Sequence, residues 1–263
     1  MTHLRLTISS WDYNGVVNHS RFSETIRYLI WDFDGTLGYR VSGNSGGAWT
    51  TSLLETITLA LPDHTVTSEQ LRSYLQAGFP WHQPEHPHPH LTTGELWWEA
   101  LYPVLEKACR GVGLDADLAR TVARRFRAVY LNLDYWRLFD DVLPTLDALS
   151  ARGWTHAILS NHVPELGDIV RHLGLASCIA YLFNSAETGY EKPHPRAFKI
   201  ALETLPDVET AWMIGDSFTA DVQGAEQVGI PAILVRRPHP DADRYCESLA
   251  DVPVLIAKEM QDE

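Results

Sequence analysis

The chain has 263 residues, of which 45% are hydrophobic, and its 34 acidic and 21 basic residues give a formal net charge of −13. This length and composition predict one or two domains with a sizeable buried core, and they exclude wholesale disorder. The negative charge argues against a nucleic-acid or anionic-membrane surface, so we expect neither a nucleic-acid nor a membrane partner.

The first predicted strand covers residues 28–31, an apolar run typical of a buried parallel strand. Residues 1–26 are predicted to form an irregular or loosely docked extension. They contain no long apolar segment, so we expect no signal peptide. After the strand, the Gly/Ser-rich residues 41–47 predict a mobile loop.

Helical periodicity follows, between about residues 48 and 134. Three stretches carry apolar residues at helical spacing: Leu53, Leu54, Ile57 and Leu61; Leu96, Trp97, Leu101, Leu105 and Ala108; and Leu118, Val122, Phe126 and Val129. A loop rich in proline and histidine, residues 78–90, separates the first two stretches.

Helices and strands then alternate to the end of the chain. The predicted helices are 143–149, 166–173, 198–205 and 221–228, and the predicted strands are 154–159, 179–183, 211–214 and 232–235. Such alternation is typical of a parallel sheet covered on both faces. We therefore predict an α/β fold, with a Rossmann-like core domain (1–40 and 136–263) split by a helical domain (41–135).

The three cysteines, Cys109, Cys178 and Cys246, are widely spaced and form no CxxC pair. They predict reduced thiols rather than disulfides or a zinc site, and hence a cytoplasmic protein. No segment approaches the roughly 18 apolar residues of a membrane span.

Two carboxylates, Asp32 and Asp34, follow the first strand directly, and Gly35 then allows a sharp turn. Ligands of open α/β sheets bind at the carboxyl ends of the strands. Two like charges repel each other there, and a hard cation such as Mg²⁺, which prefers carboxylate oxygens, would offset that repulsion. The alternative is a solvated loop, the usual setting of a bare Asp-x-Asp-Gly.

Polar residues also follow three later predicted strands. Ser160 and Asn161 can hold an anion through a hydroxyl and backbone N–H groups, although such pairs are usually turn residues. Lys192 precedes Pro193, which fixes the backbone and can aim the lysine inward, although a lone lysine is normally solvated. Asp216 ends a strand as Asp32 does. Asp221 adds an acid that could instead only favour the first turn of a helix.

In their order and detail, these four motifs resemble the haloacid-dehalogenase (HAD) superfamily. The resemblance covers about residues 27–40 and 136–237. It implies that Asp32 is the nucleophile and Asp34 the general acid–base, with Lys192 as a third catalytic residue. It implies that Ser160 binds the phosphoryl group. It also implies a Mg²⁺ site, whose ligands are Asp32, the backbone carbonyl of Asp34, and Asp216, with Asp221 in support.

The physical chemistry of phosphoryl transfer agrees with these roles, because that reaction needs mainly alignment and neutralisation of charge. Lys192 and Mg²⁺ supply positive charge, and the loop that begins at Phe33 supplies backbone N–H donors. We therefore count Phe33, Ser160 and Asn161 among the candidate substrate-binding residues.

Asp34 selects among the reactions of the family, because its dehalogenases and phosphonate hydrolases lack an acid at that position. We predict a phosphatase that acts on a small soluble phosphate ester, as a monomer or homodimer. A phosphomutase or pyrophosphatase is the alternative within the family. A HAD-like binding protein without catalysis is a third interpretation, which the presence of Asp32, Lys192 and Asp216 disfavours.

The helical insertion corresponds to the cap domain of the family, where substrate specificity is expected. Its Pro/His-rich loop contains Trp81 and His82, which we count as candidate substrate-binding residues. Interspersed prolines favour an extended backbone that separates the histidine rings, so a metal site is disfavoured. A rigid exposed loop is the first interpretation, and a substrate-recognition loop is the second.

Overall fold

A computed structural model describes residues 25–41, 47–91 and 93–261. The described residues fall into two compact units, one from Met1–Tyr39 and Leu138–Glu263 and the other from Arg40–Arg137. Most of the predicted N-terminal extension (residues 1–24) and most of the predicted Gly/Ser loop (residues 42–46) lie outside the described residues.

The strands and helices are named in chain order. The strands are β1 (Ile26–Trp31), β2 (Gly38–Arg40), β3 (Trp136–Leu138), β4 (Trp154–Ser160), β5 (Ile179–Asn184), β6 (Val208–Gly215), β7 (Ala232–Val235) and β8 (Tyr245–Cys246). The helices are α1 (Ala48–Ala60), α2 (Ser68–Arg72), α3 (Gly94–Gly111), α4 (Ala116–Tyr130), α5 (Val142–Ser150), α6 (Leu166–His172), α7 (Ser185–Thr188), α8 (Pro195–Thr204), α9 (Gly224–Glu226) and α10 (Val252–Glu259). None of the helices in the described ranges is both long enough and apolar enough to cross a membrane.

The first unit is built on a six-stranded sheet in the order β5-β4-β1-β6-β7-β8. Its neighbouring strands are parallel. This confirms the predicted α/β fold class. β1 lies between β4 and β6, with Trp31 paired to Ile158 on one side and to Ile214 on the other. This register brings the carboxyl ends of the three central strands to one edge of the sheet.

The sheet is apolar because its strands are buried on both faces. Leu29, Ile30 and Trp31 of β1 have no exposed surface. Ile30 belongs to a buried cluster that includes Phe198 and Ile200 of α8. Burying such side chains stabilises the fold by roughly 1.5–3 kcal/mol each, so the strand ends are held on a rigid support.

The second unit is helical, and α1, α3 and α4 correspond to the three predicted helical stretches. Asp115 caps α4 by accepting hydrogen bonds from the backbone of Asp117 and Leu118. Two residues at the ends of the predicted apolar helix faces do not belong to the buried side of a helix. Leu61 follows the last residue of α1, and Leu96 is exposed in the first turn of α3.

An aromatic cluster packs inside the second unit. Its centre is the indole of Trp49 at the start of α1. The centroid of that ring lies 4.6 Å from Phe79, 5.4 Å from Trp81, 6.1 Å from Trp98, 5.2 Å from Phe126 and 4.5 Å from Tyr130. These distances are typical of stacked and edge-to-face aromatic pairs.

Two local predictions were wrong. The Pro/His-rich loop is mostly exposed, as predicted, but it is not extended, because residues 80–82 form a 3₁₀-helical turn, and His88 is buried rather than exposed. Proline suits the first position of such a turn as well as it suits an extended chain. The predicted helix 221–228 is instead a π-helical turn, Phe218–Gln223, followed by the short α9.

Candidate active site

Asp32 lies at the carboxyl end of β1, and the sheet itself fixes its backbone, because its N–H donates to the carbonyl oxygen of Ile214 at 2.9 Å. The carboxylate is buried. Its Oδ1 accepts hydrogen bonds from the Ser160 hydroxyl at 2.9 Å and from the Lys192 ammonium at 2.8 Å. The end of β4 and the segment after α7 therefore meet at this carboxylate.

Lys192 is buried between two acids. Its Nζ also contacts Oδ1 of Asp221 at 2.6 Å. Burial alone would lower the pKa of Lys192, but the charges of Asp221 and Asp32 outweigh it and raise that pKa. The lysine is therefore a cation at neutral pH. A buried ion pair of this kind is weak evidence for stability, because desolvation offsets its Coulomb attraction.

The side-chain amide of Asn161 is bound to the backbone of Lys192. The side-chain oxygen accepts from the Lys192 N–H at 2.7 Å, and the side-chain N–H₂ donates to the Lys192 carbonyl at 2.8 Å. This two-point contact positions Lys192, next to the cis peptide bond between Lys192 and Pro193. The side chain of Asn161 thus holds the lysine, and the contact of the Asn161 backbone N–H with an anion stays a prediction.

Asp216 follows β6 and approaches the turn after Asp32 very closely. Gly35 has a φ of +89°, and a Cβ at that position would lie 2.4 Å from Oδ2 of Asp216. Only glycine fits both conditions. Burial, with the charges of Asp32 and Asp34, raises the pKa of Asp216 to about 6, while Arg237 opposes the rise. The Nε of Arg237 lies 3.1 Å from Oδ2 of Asp216.

Asp34 differs from the other acids because its side chain is exposed. Desolvation by the surrounding protein and the charge of Asp32 raise the pKa of Asp34 to about 7, and Arg237 opposes them. The side chain reaches solvent, and the nearby charge of Asp32 disfavours its ionised form. An acid with a raised pKa can both donate and accept a proton near neutral pH.

The acidic residues form a group that could hold a cation. Ligand atoms of Asp32, Asp216 and Asp221 lie within 4.8 Å of one another. Both oxygens of Asp221 accept hydrogen bonds, Oδ1 from Lys192 and Oδ2 from the N–H of Ser217 at 2.9 Å. Asp32 and Asp216 thus fit a hard cation better than Asp221 does, and Asp221 holds Lys192 and the turn after Asp216.

The other predicted residues lie in different surroundings. The Phe33 ring is fully buried and meets His162 edge-to-face at 5.6 Å. Phe33 can therefore contact a substrate only through its backbone, and any contact by its ring is excluded. Trp81 and His82 belong to the second unit, where the Trp81 ring stacks on Phe79 at 4.9 Å.

Sequence reasoning missed two arginines that follow β7. Arg236 donates to both oxygens of Asp141, at 2.7 and 3.3 Å, and to the carbonyl of Thr36 at 2.9 Å. Arg237 pairs with Asp216. The available signal was their position, directly after an apolar strand, which is the place that marked Asp32 and Asp216.

The sequence matches the family model described as haloacid dehalogenase-like hydrolase over residues 26–229. The chain belongs to this family. The family is described as one of hydrolases, so the chain is assigned as a hydrolase, an enzyme. The matched range includes the proposed catalytic residues and the helical unit, and it ends just before β7.

Individual relatives agree with the family assignment. The chain is 31% identical to haloacid dehalogenase-like hydrolase domain-containing protein 3 of Bos taurus, over 57% of this chain and 60% of that protein. It is 32% identical to a phosphoserine phosphatase of Thermus thermophilus, over 51% of this chain and 53% of that protein. The chain thus matches less than two thirds of the length of these relatives.

A solved structure shares the fold over nearly the whole chain. It is a 2-haloacid dehalogenase from Pseudomonas syringae, with a TM-score of 0.61 and 26% sequence identity, and the match covers 89% of this chain and 99% of that one. Phosphatases and dehalogenases both occur among the relatives. The fold and the family therefore show a hydrolase, and the reaction has to be argued from the site.

Proposed function

We propose that this HAD-like hydrolase is a Mg²⁺-dependent phosphatase that hydrolyses small phosphate monoesters through an aspartyl-phosphate intermediate. The observation that carries the proposal is Asp34, a solvent-accessible carboxyl group two residues after Asp32. Transfer of a phosphoryl group from an alcohol needs an acid for the leaving oxygen. Displacement of a halide does not, because the halide leaves as a stable anion.

Each side chain has one role in the proposed reaction. Asp32 attacks phosphorus, so that an O–P bond forms to its carboxylate while the bond to the leaving oxygen breaks. Asp34 gives its proton to that oxygen. It then takes a proton from the water that attacks the aspartyl-phosphate, and inorganic phosphate is released. Ser160 and Lys192, which contact Asp32, would donate hydrogen bonds to the phosphoryl oxygens.

Asp32, Asp216 and the backbone carbonyl of Asp34 are the groups that would hold Mg²⁺. The arrangement of buried carboxylate oxygens on Asp32 and Asp216 supports this assignment, because hard cations prefer such ligands. When bound, the ion supplies positive charge to the transferring phosphoryl group. Gly35 is required in this arrangement because any larger residue would displace Asp216.

We also propose that the helical unit is the cap domain, with bounds close to the predicted 41–135, and that it selects the substrate. The exposed His82 and the half-buried Trp81 support this role, because together they offer a hydrogen-bonding edge and an apolar face. The proposed setting is a cytoplasmic enzyme, monomeric or homodimeric, that acts on a soluble metabolite.

The test is a screen of the purified protein against p-nitrophenyl phosphate and a panel of phosphorylated metabolites, with Mg²⁺ and with EDTA. We expect release of inorganic phosphate that requires Mg²⁺. Release of chloride from 2-chloropropionate without any phosphatase activity would instead assign a dehalogenase. Transfer of phosphate within a sugar phosphate without its release would assign a mutase.

A further inference from the structure

Arg237 is an exposed cation at the edge of the sheet that carries the acidic site. It lies two residues beyond the end of β7, and 74% of its side-chain surface is exposed. Its Nε contacts Oδ2 of Asp216 at 3.1 Å. The proposed phosphatase reaction gives this arginine no role.

The backbone before Arg237 is held in an unusual conformation. Arg236 has a φ of +65°, in the left-handed region that non-glycine residues seldom adopt. Its guanidinium is bound to Asp141 and Thr36 and lies 3.7 Å from the ring centroid of Phe139. Such strain persists only where the surroundings impose it, and it is concentrated at functional sites. The backbone directly before Arg237 is therefore held in a defined conformation.

The segment after Arg237 is also restrained. The ring of His239 stacks on Phe218, with centroids 3.9 Å apart and planes inclined by 6°. Pro238 and Pro240 flank that histidine and fix two further φ angles. A charged side chain on a restrained segment loses less conformational entropy when it binds a ligand.

We propose that Arg237 binds a second anionic group of the substrate, a carboxylate or a second phosphate. The guanidinium fork matches both groups in a bidentate manner, and its exposed surface lies beside the carboxylate of Asp216. This inference rests on the proposed phosphatase function, because it concerns the substrate of that same site.

The test compares three small esters under saturating Mg²⁺. 2-Phosphoglycolate carries a carboxylate, ethylene glycol bisphosphate carries a second phosphate, and 2-hydroxyethyl phosphate carries neither. The variants are Arg237→Gln and Arg237→Lys. The control is Arg196→Gln, which removes another exposed arginine of the first unit, one paired with Glu203 at 2.7 Å.

We expect the wild type to prefer at least one of the two esters that carry a second anionic group over 2-hydroxyethyl phosphate, which carries none. Arg237→Gln should lower that ratio of kcat/KM by about 10-fold, the usual contribution of a charged hydrogen bond. The loss should lie mainly in KM. Arg237→Lys should restore part of the lost preference, and Arg196→Gln should leave the ratio at its wild-type value. Any effect of Arg237 on Asp216 or on metal affinity cancels, because every ester shares it.

The inference is wrong if the wild type hydrolyses 2-hydroxyethyl phosphate at least as well as both esters that carry a second anionic group. It is equally wrong if Arg237→Gln leaves the ratio unchanged. Either result leaves the proposed function intact, provided that p-nitrophenyl phosphate is hydrolysed. If no phosphate ester is hydrolysed, the proposed function itself fails, and this inference fails with it.

Discussion

The acidic site of the first unit and the aromatic cluster of the second unit are both crowded, but different forces hold their side chains. In the acidic site, directional hydrogen bonds join Asp32 to Ser160 and Lys192. In the aromatic cluster, Trp49 is surrounded by rings in stacked, tilted and edge-to-face arrangements. Hydrogen bonds identify the individual atoms that can react, whereas stacked rings fix only the shape of the packed cluster. Chemistry can therefore be inferred from the first unit, and substrate choice in the second unit stays a proposal.

The two regions also differ in what burial costs. Aromatic rings gain free energy when they leave water, whereas buried carboxylates and ammonium groups lose hydration that their pairing only partly restores. A protein that keeps Asp32, Asp221 and Lys192 buried together gains little stability from them. Their arrangement is best explained by the proposed reaction, and four measurements would test this contrast.

The largest expected effect is loss of turnover in Asp32→Asn. An amide cannot form the aspartyl-phosphate, so kcat should fall by at least about 10⁴-fold, as when other enzymes lose their nucleophile. Steady-state hydrolysis of p-nitrophenyl phosphate measures the loss, and circular dichroism checks the fold. Asp243→Asn, at an exposed acid of the same unit, is the control and should keep full activity. Substantial turnover by Asp32→Asn would refute the assignment of the nucleophile.

The next effect is acid destabilisation of the first unit by His156. Its Nδ1 accepts from the indole N–H of Trp31 at 3.1 Å, and its Nε2 lies 3.1 Å from the carbonyl of Leu146. Burial lowers the pKa of His156 from 6.5 to about 4. Because the unfolded chain takes up the proton first, the contribution of His156 to the free energy of unfolding should be complete above pH 6.5. That contribution should fall by about 3 kcal/mol as the pH drops to 4, while the raised pKa values of Asp34 and Asp216 change the total in the opposite direction.

Urea denaturation at several pH values measures this dependence. His156→Gln keeps a donor and an acceptor but cannot take up a proton, so the free energy of unfolding of the wild type relative to this variant should fall by about 3 kcal/mol between pH 6.5 and 4. His162, whose pKa burial also lowers to about 4, should retain its own share of the slope. Identical slopes in the wild type and in His156→Gln would show that His156 does not link folding to pH.

Asp34→Asn should reduce turnover by roughly 100-fold or more, the usual range for general acid–base catalysis. The loss in the phosphorylation step should be smaller for p-nitrophenyl phosphate than for an alkyl phosphate, because nitrophenolate leaves without a proton. Single-turnover rates with the two esters measure the difference. Equal losses would argue against a general-acid role for Asp34.

The smallest effect concerns Trp81→Ala and His82→Ala in the second unit. If these side chains contact the leaving group, kcat/KM for the true substrate should fall by roughly 10-fold, about 1.4 kcal/mol. Hydrolysis of p-nitrophenyl phosphate should change little. A purely structural role would lower the thermal stability and reduce activity equally on both esters, most clearly for Trp81, which stacks on Phe79.

The sheet was predictable because its strands are buried, apolar and separated by helices. The predicted strand 232–235 has the same bounds as β7, and the predicted 28–31 differs from β1 only by starting two residues later. Because the strand ends were right, the grouping of polar residues at one edge of the sheet followed from topology alone.

The remaining contacts depend on tertiary structure that no local pattern encodes. Arg236 and Asp141 are 95 residues apart, and neither belongs to a recognisable motif. The amide of Asn161 suits an anion as well as it suits a peptide group, so its partner Lys192 could be identified only from coordinates. The π-helical turn at Phe218–Gln223 was missed because its sequence has ordinary helical spacing.

Ser160, the last residue of β4, and Asn161, which follows it, contact two different neighbours. Ser160 reaches the nucleophile, while Asn161 grips the main chain of the lysine segment. The register of β4 therefore sets the positions of both Asp32 and Lys192 relative to Ser160 and Asn161. A slip of one residue in one direction would bring Asn161 to Asp32 and His162 to the peptide of Lys192, and a slip in the other direction would bring Leu159 to Asp32. Anyone who transplants this site to another sheet must therefore move the dipeptide as one part.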